Sequence, residues 1–193
     1  MEIKLSGGYT LDAKKKTQDR KKGSHLKKLP IEFCIIDIET TGFDSQNDSI
    51  IELSALRIKS NQIVETFSTL VKPNKTIPDF ISNLTQITNE MVETAPDLKT
   101  GLQVFQNFIG NDVLFGHNIN FDINFIYDCQ LKLFNDFFDN DYVDFLTLSK
   151  QNLALENYKL ETIAKHLGVK TENSHRGLQD CLILLECYLK TCK

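Results

Sequence analysis

Phe33-Cys34-Ile35-Ile36-Asp37-Ile38-Glu39 is a short apolar run that ends in two carboxylates. It lacks the apolar-polar alternation of a half-solvated strand, so it predicts a central strand covered on both faces. Side chains two positions apart leave the same face of a strand, which sets Asp37 and Glu39 side by side. Two neighbouring anions repel. The pair alone does not choose between a solvated strand end and a set of ligands for a cation.

Downstream of this run, residues 50–58 (IIELSALRI) and 62–71 (QIVETFSTLV) are β-prone and are separated by the polar Lys59-Ser60-Asn61. Such short links predict an antiparallel three-strand meander. Leu98, Leu102, Phe105 and Ile109 recur at helical spacing after Pro96 and stop at Gly110. Residues 113–115 (VLF) form a short buried strand that leads to a helix carrying Ile123, Ile126 and Leu131, with Asn118 or Asn120 as its cap. Residues 142–146 (YVDFL) predict a last strand. Leu160, Ile163, Ala164 and Leu167 mark a helix closed by Gly168, and Leu178, Cys181, Leu182, Leu185 and Leu189 mark the terminal one. Strands first, then alternating helices and strands, predict an α/β layer fold around a mixed five-stranded sheet flanked by helices.

Charge divides the chain near Pro30. Residues 1–30 hold nine Lys/Arg against three Asp/Glu, a balance of +6, whereas the other 163 residues hold thirteen against twenty-three, or −10. The first stretch predicts a basic, flexible tail, read either as a phosphate-binding arm or as a solvated leader, and residues 31–193 predict one domain. An acidic domain that handles a polyanion needs cations from elsewhere, from metal ions or from the tail. The five cysteines, Cys34, Cys129, Cys181, Cys187 and Cys192, are odd in number and include no C-x-x-C pair, which argues against a disulfide framework or a structural zinc site. No apolar stretch has the length of a membrane span or secretory leader, so the expectation is a cytoplasmic protein with no membrane.

Further acidic residues bear on the Asp37 and Glu39 pair. Asp122 follows a buried strand and sits in the first turn of a helix, at the strand end where α/β sheets bind ligands. It also has a plain explanation, since a carboxylate there complements the helix dipole. Asp180 is early in the last helix, and His175 precedes it by five residues in a polar loop. Taken singly, the histidine reads as a solvated surface group and the aspartate as a cap.

Taken in order, these residues resemble the DEDD exonucleases of the ribonuclease H-like fold, in the proofreading branch that uses a histidine. Asp37-Ile38-Glu39-Thr40-Thr41-Gly42 is similar to the first motif of that family, His117-Asn118-x-x-Phe121-Asp122 to the second, and His175-x-x-x-x-Asp180 to the third. The position four before the last Asp, a tyrosine in the other branch, is Arg176 here. Three ordered motifs in compatible contexts are far more specific than any one of them.

The resemblance implies a two-metal phosphodiester hydrolase acting from a free 3′ end of nucleic acid and releasing nucleoside 5′-monophosphates. It implies that Asp37, Glu39, Asp122 and Asp180 hold two Mg²⁺ or Mn²⁺ ions, which an all-oxygen ligand set suits. His175 would take the proton of the attacking water, a role that fits an imidazole. Thr40, Thr41, Phe43, His117 and Asn118 would contact substrate, with Phe43 wedged against the terminal base, where the alternative is a turn residue packed on the core. DNA in proofreading or repair is the leading expectation, with RNA trimming or a nonhydrolytic nucleic-acid-binding module as alternatives. In the segment Leu84-Thr85-Gln86-Ile87 the family often carries His-Gly where this chain has Thr85-Gln86, which alters the expected base pocket. Asp144 lies outside the three motifs and is read as structural. A DNA polymerase and the sliding clamp are the protein partners considered. Gln130-Leu131-Lys132-Leu133-Phe134 resembles a clamp-docking peptide, although it continues a predicted helix.

Overall fold

A computed structural model describes residues 20–171 and 175–191. Its sheet has the order β3-β2-β1-β4-β5. β1 (Glu32–Thr40), β2 (Ile50–Lys59) and β3 (Gln62–Leu70) form the antiparallel meander. The hairpin between β2 and β3 turns on Ser60 and Asn61, both at positive φ, the conformation that two-residue hairpin loops require. β4 (Leu114–Gly116) and β5 (Tyr142–Asp144) run parallel to β1. β1 is therefore central, as its unbroken apolar character demands.

The two faces of β1 feed two cores. Cys34, Ile36 and Ile38 pack with α3 (Leu98–Ile109) and α4 (Asn120–Phe134), around Leu102, Phe105, Ile123 and Ile126. Phe33 and Ile35 pack with α5 (Phe145–Asn152), α6 (Leu160–Leu167) and α7 (Gly177–Thr191), around Phe145, Ile163, Cys181 and Leu184. Strand parity continues this second face through Asp37 and Glu39, so both carboxylates are aimed at α7. Two short helices, α1 (Asp79–Thr85) and α2 (Asn89–Val92), close one end over Ile51.

Several sequence expectations are corrected. The helix bearing Asp122 is capped by neither asparagine: its N-cap is Ile119, Asn118 stands before it at φ 58°, and Asn120 is its first residue. The strand at 142–146 is shorter than expected, because the Asp144 carboxylate accepts from the Leu146 amide (3.2 Å) and the Thr147 hydroxyl (2.8 Å) and starts α5 at Phe145. Asp144 thus has a structural task. The segment Gln130–Phe134 forms the last turns of α4, with Gln130 buried and Leu131, Leu133 and Phe134 packed on the core. It is not an exposed, extended peptide.

The basic stretch also divides differently from the charge pattern. Arg20 pairs with Asp128 of α4 (2.6 Å), and the Lys22 ammonium donates to Asn120 (2.8 Å) and Asn124 (3.1 Å). The Leu26 amide donates to the Tyr142 carbonyl (2.7 Å), the Tyr142 amide donates to the Ser24 carbonyl (3.0 Å), and His25 stacks on the Tyr142 ring. Residues 20–29 are a strap along α4 and the β5 edge rather than a free tail; the expectation for residues 1–19 lies outside the described residues. Among the described residues, no helix is long and apolar enough to cross a membrane.

Candidate metal centre

At the C-terminal end of β1, oxygen atoms of Asp37, Glu39 and Asp180 lie within 4.8 Å of one another. The strand contributes two of them by parity, and α7 contributes the third from its first turn. Such crowding has an electrostatic cost that the carboxyl groups register. Burial, followed by the charges of Asp122, Glu39 and Asp180, pushes Asp37 well above the usual carboxylate range. Glu39 is pushed up to about 8, by burial first and then by Asp180, Glu52 and Asp122. Asp180 is raised by burial against the opposing pull of the His175 amide. Without a cation, protons must take up part of this charge.

Asp122 approaches from the opposite layer. It is 4% exposed, and its carboxylate accepts the Ile38 amide at 3.1 Å. Burial pushes it up to about 7, although the Ile38 hydrogen bond pulls the other way. It stands outside the trio of converging oxygens, while its charge is the first that acts on Asp37.

His175 is exposed and takes a left-handed backbone conformation, φ 68°. Its amide donates to both oxygens of Asp180, at 3.2 and 3.4 Å. That bond ties the histidine to the cluster through its main chain.

Of the expected substrate contacts, Thr40 and Thr41 spend their polar groups inside the protein. The Thr40 hydroxyl donates to the Gly42 carbonyl (2.6 Å), and Thr41 exchanges bonds with Ser49, its amide donating at 2.8 Å and its hydroxyl accepting at 2.9 Å. These bonds fix the turn that presents Phe43. Phe43 is 64% exposed, with the Phe121 ring at 6.4 Å between centroids, so it is not a core residue. Burial lowers the pKa of His117, its Nδ1 lacks a partner among the described residues, and the Asn118 amide donates to Asp144 (2.9 Å). Thr85 is buried, its hydroxyl bonded to the Ile81 carbonyl (3.0 Å), and Gln86 caps α1 at φ 59°.

Sequence reasoning passed over Glu52 and the function of Arg176. Glu52 pairs with Glu39 across β1 and β2 and so shares the face of the cluster. It accepts from Arg176 Nη2 (2.8 Å), from Arg176 Nε (3.3 Å) and from the Gly177 amide (3.0 Å). The signal was present: a carboxylate in an apolar strand covered on both faces requires a partner.

This donor set fits a hard divalent cation. The converging ligands are all oxygen, their charge is crowded, and the guanidinium nearest to them is already engaged by Glu52.

A family model described as "Exonuclease" matches residues 34–188. The PolC-type DNA polymerase III of Clostridium perfringens is 41% identical over 157 residues, 81% of this chain but 11% of that polymerase. The DNA polymerase III epsilon subunit of Aquifex aeolicus is 36% identical over 159 residues, 82% of this chain and 79% of that subunit. This chain therefore spans about a tenth of the PolC-type relative and most of the epsilon subunit. E. coli Exonuclease I in complex with a dA16 oligonucleotide superimposes with a TM-score of 0.73 at 18% identity, over 85% of this chain and 41% of its own, a likeness of fold.

Proposed function

This chain belongs to the exonuclease family, and on that premise we propose that it is a metal-dependent 3′→5′ exonuclease acting on DNA ends. The observation that carries this reading is the convergence of Asp37, Glu39 and Asp180 oxygens within 4.8 Å, backed by Asp122. Asp37, Glu39, Asp122 and Asp180 would hold two Mg²⁺ or Mn²⁺ ions. Bound there, such ions would lower the pKa of water and stabilise the leaving oxygen.

The side chains supply the rest. His175 accepts the proton of the attacking water, and the hydrogen bond that its backbone amide donates to Asp180 keeps it beside the ligands. Phe43, exposed and backed by Phe121, offers a ring on which the terminal base stacks, a contact that tolerates every sequence. His117 and Asn118 line the approach at the end of β4. The products are nucleoside 5′-monophosphates. The names of the polymerase III relatives support DNA rather than RNA as the substrate, and the role that suits such a chain is proofreading beside a polymerase in the cytoplasm. The helical, packed state of Gln130–Phe134 gives no support to docking on a sliding clamp through that segment. The cationic strap, with Lys21, Lys27 and Lys28 exposed, contacts the phosphates of the bound strand.

Digestion of 3′-labelled and 5′-labelled single-stranded DNA, duplex DNA and RNA tests this reading. Mononucleotides should leave the 3′ end first, in Mg²⁺ and not in EDTA. His175→Ala should lower kcat by about 10² to 10⁴-fold with little change in KM. Full hydrolysis in EDTA, or wild-type turnover in His175→Ala, would remove the metal or the base from the mechanism.

A further inference from the structure

We infer that Arg176 is a positioning residue: its ion pair with buried Glu52 latches the first turn of α7, and with it His175 and Asp180, onto the strands that carry Asp37 and Glu39. The inference rests on the exonuclease reading for its catalytic consequence and on the contacts themselves for the latch.

The Glu52 side chain is 2% exposed and stands opposite Glu39 on the face that looks at α7. A carboxylate so buried is tolerated only when it is paired and hydrogen-bonded. Of its partners, the Arg176 guanidinium and the Gly177 amide both belong to the start of α7, and the Ser68 hydroxyl (3.4 Å) comes from β3. Glu52 is therefore committed to holding a helix end. Its charge is matched by Arg176, which separates it in role from the neighbouring carboxylates.

Packing tightens the same junction. A Cβ at Gly177 would fall 2.7 Å from Ser54 Oγ and 3.3 Å from Asp37 Oδ2. Ser54 is the cross-strand partner of Asp37, so the backbone of α7 lies directly on the two strands beneath the cluster. His175, two residues before Gly177, holds an unfavourable left-handed conformation at φ 68°. Such a conformation persists only when its surroundings over-determine it. Here the His175 amide is fixed on Asp180 and the next side chain on Glu52. Releasing Arg176 leaves a buried, unmatched carboxylate beside Glu39 and lets this turn lift. A shift of about 1 Å in a reacting group can cost about 10²-fold in rate.

The test uses the full chain in Mg²⁺ with 3′-end digestion of single-stranded DNA, comparing Arg176→Ala, Arg176→Lys, Glu52→Gln and the double variant Glu52→Gln/Arg176→Ala. Arg176→Ala should lose about 10 to 10²-fold in kcat with KM within about threefold, while its melting midpoint stays above the assay temperature. Arg176→Lys should recover part of that loss, since it restores the charge without the forked geometry. The double variant should be no slower than Arg176→Ala, because the two residues act as one unit. Amide hydrogen exchange adds a readout free of catalysis: Gly177 should exchange faster in Arg176→Ala and near the wild-type rate in Arg176→Lys. Wild-type kcat in Arg176→Ala, additive losses in the double variant, or unchanged Gly177 exchange would overturn the latch. Should Arg176→Ala fail to fold, Arg176→Lys and Glu52→Gln carry the same comparison. An inactive wild-type chain would instead count against the exonuclease reading, and the exchange measurement would still decide the latch.

Discussion

In the metal-free fold burial and the neighbouring carboxylates push Glu39 up to about 8 and hold Asp37 above its usual range, and burial pushes Asp122 up to about 7. Each is an acid whose folded pKa exceeds its unfolded one, so the fold binds more protons than the unfolded chain. Their contribution to stability is full below about pH 4 and is lost as pH rises towards about 8. A divalent cation replaces those protons. Melts in EDTA should therefore fall from pH 5.5 to pH 8.5, and the gain in midpoint on adding Mn²⁺ should be larger at pH 8.5. A metal-free midpoint that is flat or rising over this range would mean that the carboxylates are not crowded as described. At this scale the sequence was most informative for Asp37 and Glu39, because parity along a single strand places both. For Glu52 it signals only that a carboxylate in an apolar strand needs a partner; which partner depends on a strand register and a helix end 124 residues away.

At the scale of elements, legibility followed periodicity. β1 and the helices built on Leu102, Phe105 and Ile109 or on Cys181 and Leu185 bury regular faces, and their patterns predict them. α1 and α2 have seven and four residues, too few turns to show a period, and α5, as long as α6, lacks the apolar stripe by which Leu160, Ile163, Ala164 and Leu167 show α6. The cap expected at Asn118 or Asn120 failed for a local reason: Asn118 uses its left-handed conformation in the turn before the helix, and the Asn120 side chain accepts from Lys22. The Thr85-Gln86 departure from the family pattern acquires a physical meaning here. Gln86 stands at the left-handed C-cap of α1, φ 59°, where glycine is favoured. Left-handed backbone costs a non-glycine residue about 1 to 2 kcal/mol, partly offset by the chain entropy that glycine gives up on folding and by the bond from Gln86 Nε2 to the Asn83 carbonyl (2.7 Å). Gln86→Gly should raise the melting midpoint by about 1 to 4 °C. A lower midpoint would show that the side-chain bond outweighs the backbone strain.

Over the whole molecule, residues 31–193 carry a balance of −10, and the strap of residues 20–29, with five Lys/Arg and no Asp/Glu, is docked on them. The charge pattern revealed the imbalance but not the docking, because edge pairing with Tyr142 leaves no periodic trace in Ser24-His25-Leu26. Arg20 joins the strap to the loop beyond Phe43 through Ser45 (3.4 Å) and to α4 through Asp128, so this end of the strap meets the loop that carries the proposed base-stacking ring. Lys21, Lys27 and Lys28 are exposed, and neutralising them leaves the Arg20 and Tyr142 anchors in place. A phosphate contact on a single strand contributes about 0.7 to the slope of log affinity against log salt. Replacing all three lysines with Gln should flatten that slope by about 2, raise KM at low salt, leave kcat unchanged and lower the melting midpoint by no more than about 1 to 4 °C, through loss of the Lys21 ammonium from the face of the Phe137 ring (5.2 Å). Identical slopes for the variant and the wild-type chain would leave the strap as a cover for the sheet edge alone, and the bound strand would then owe its electrostatic hold to the metal centre.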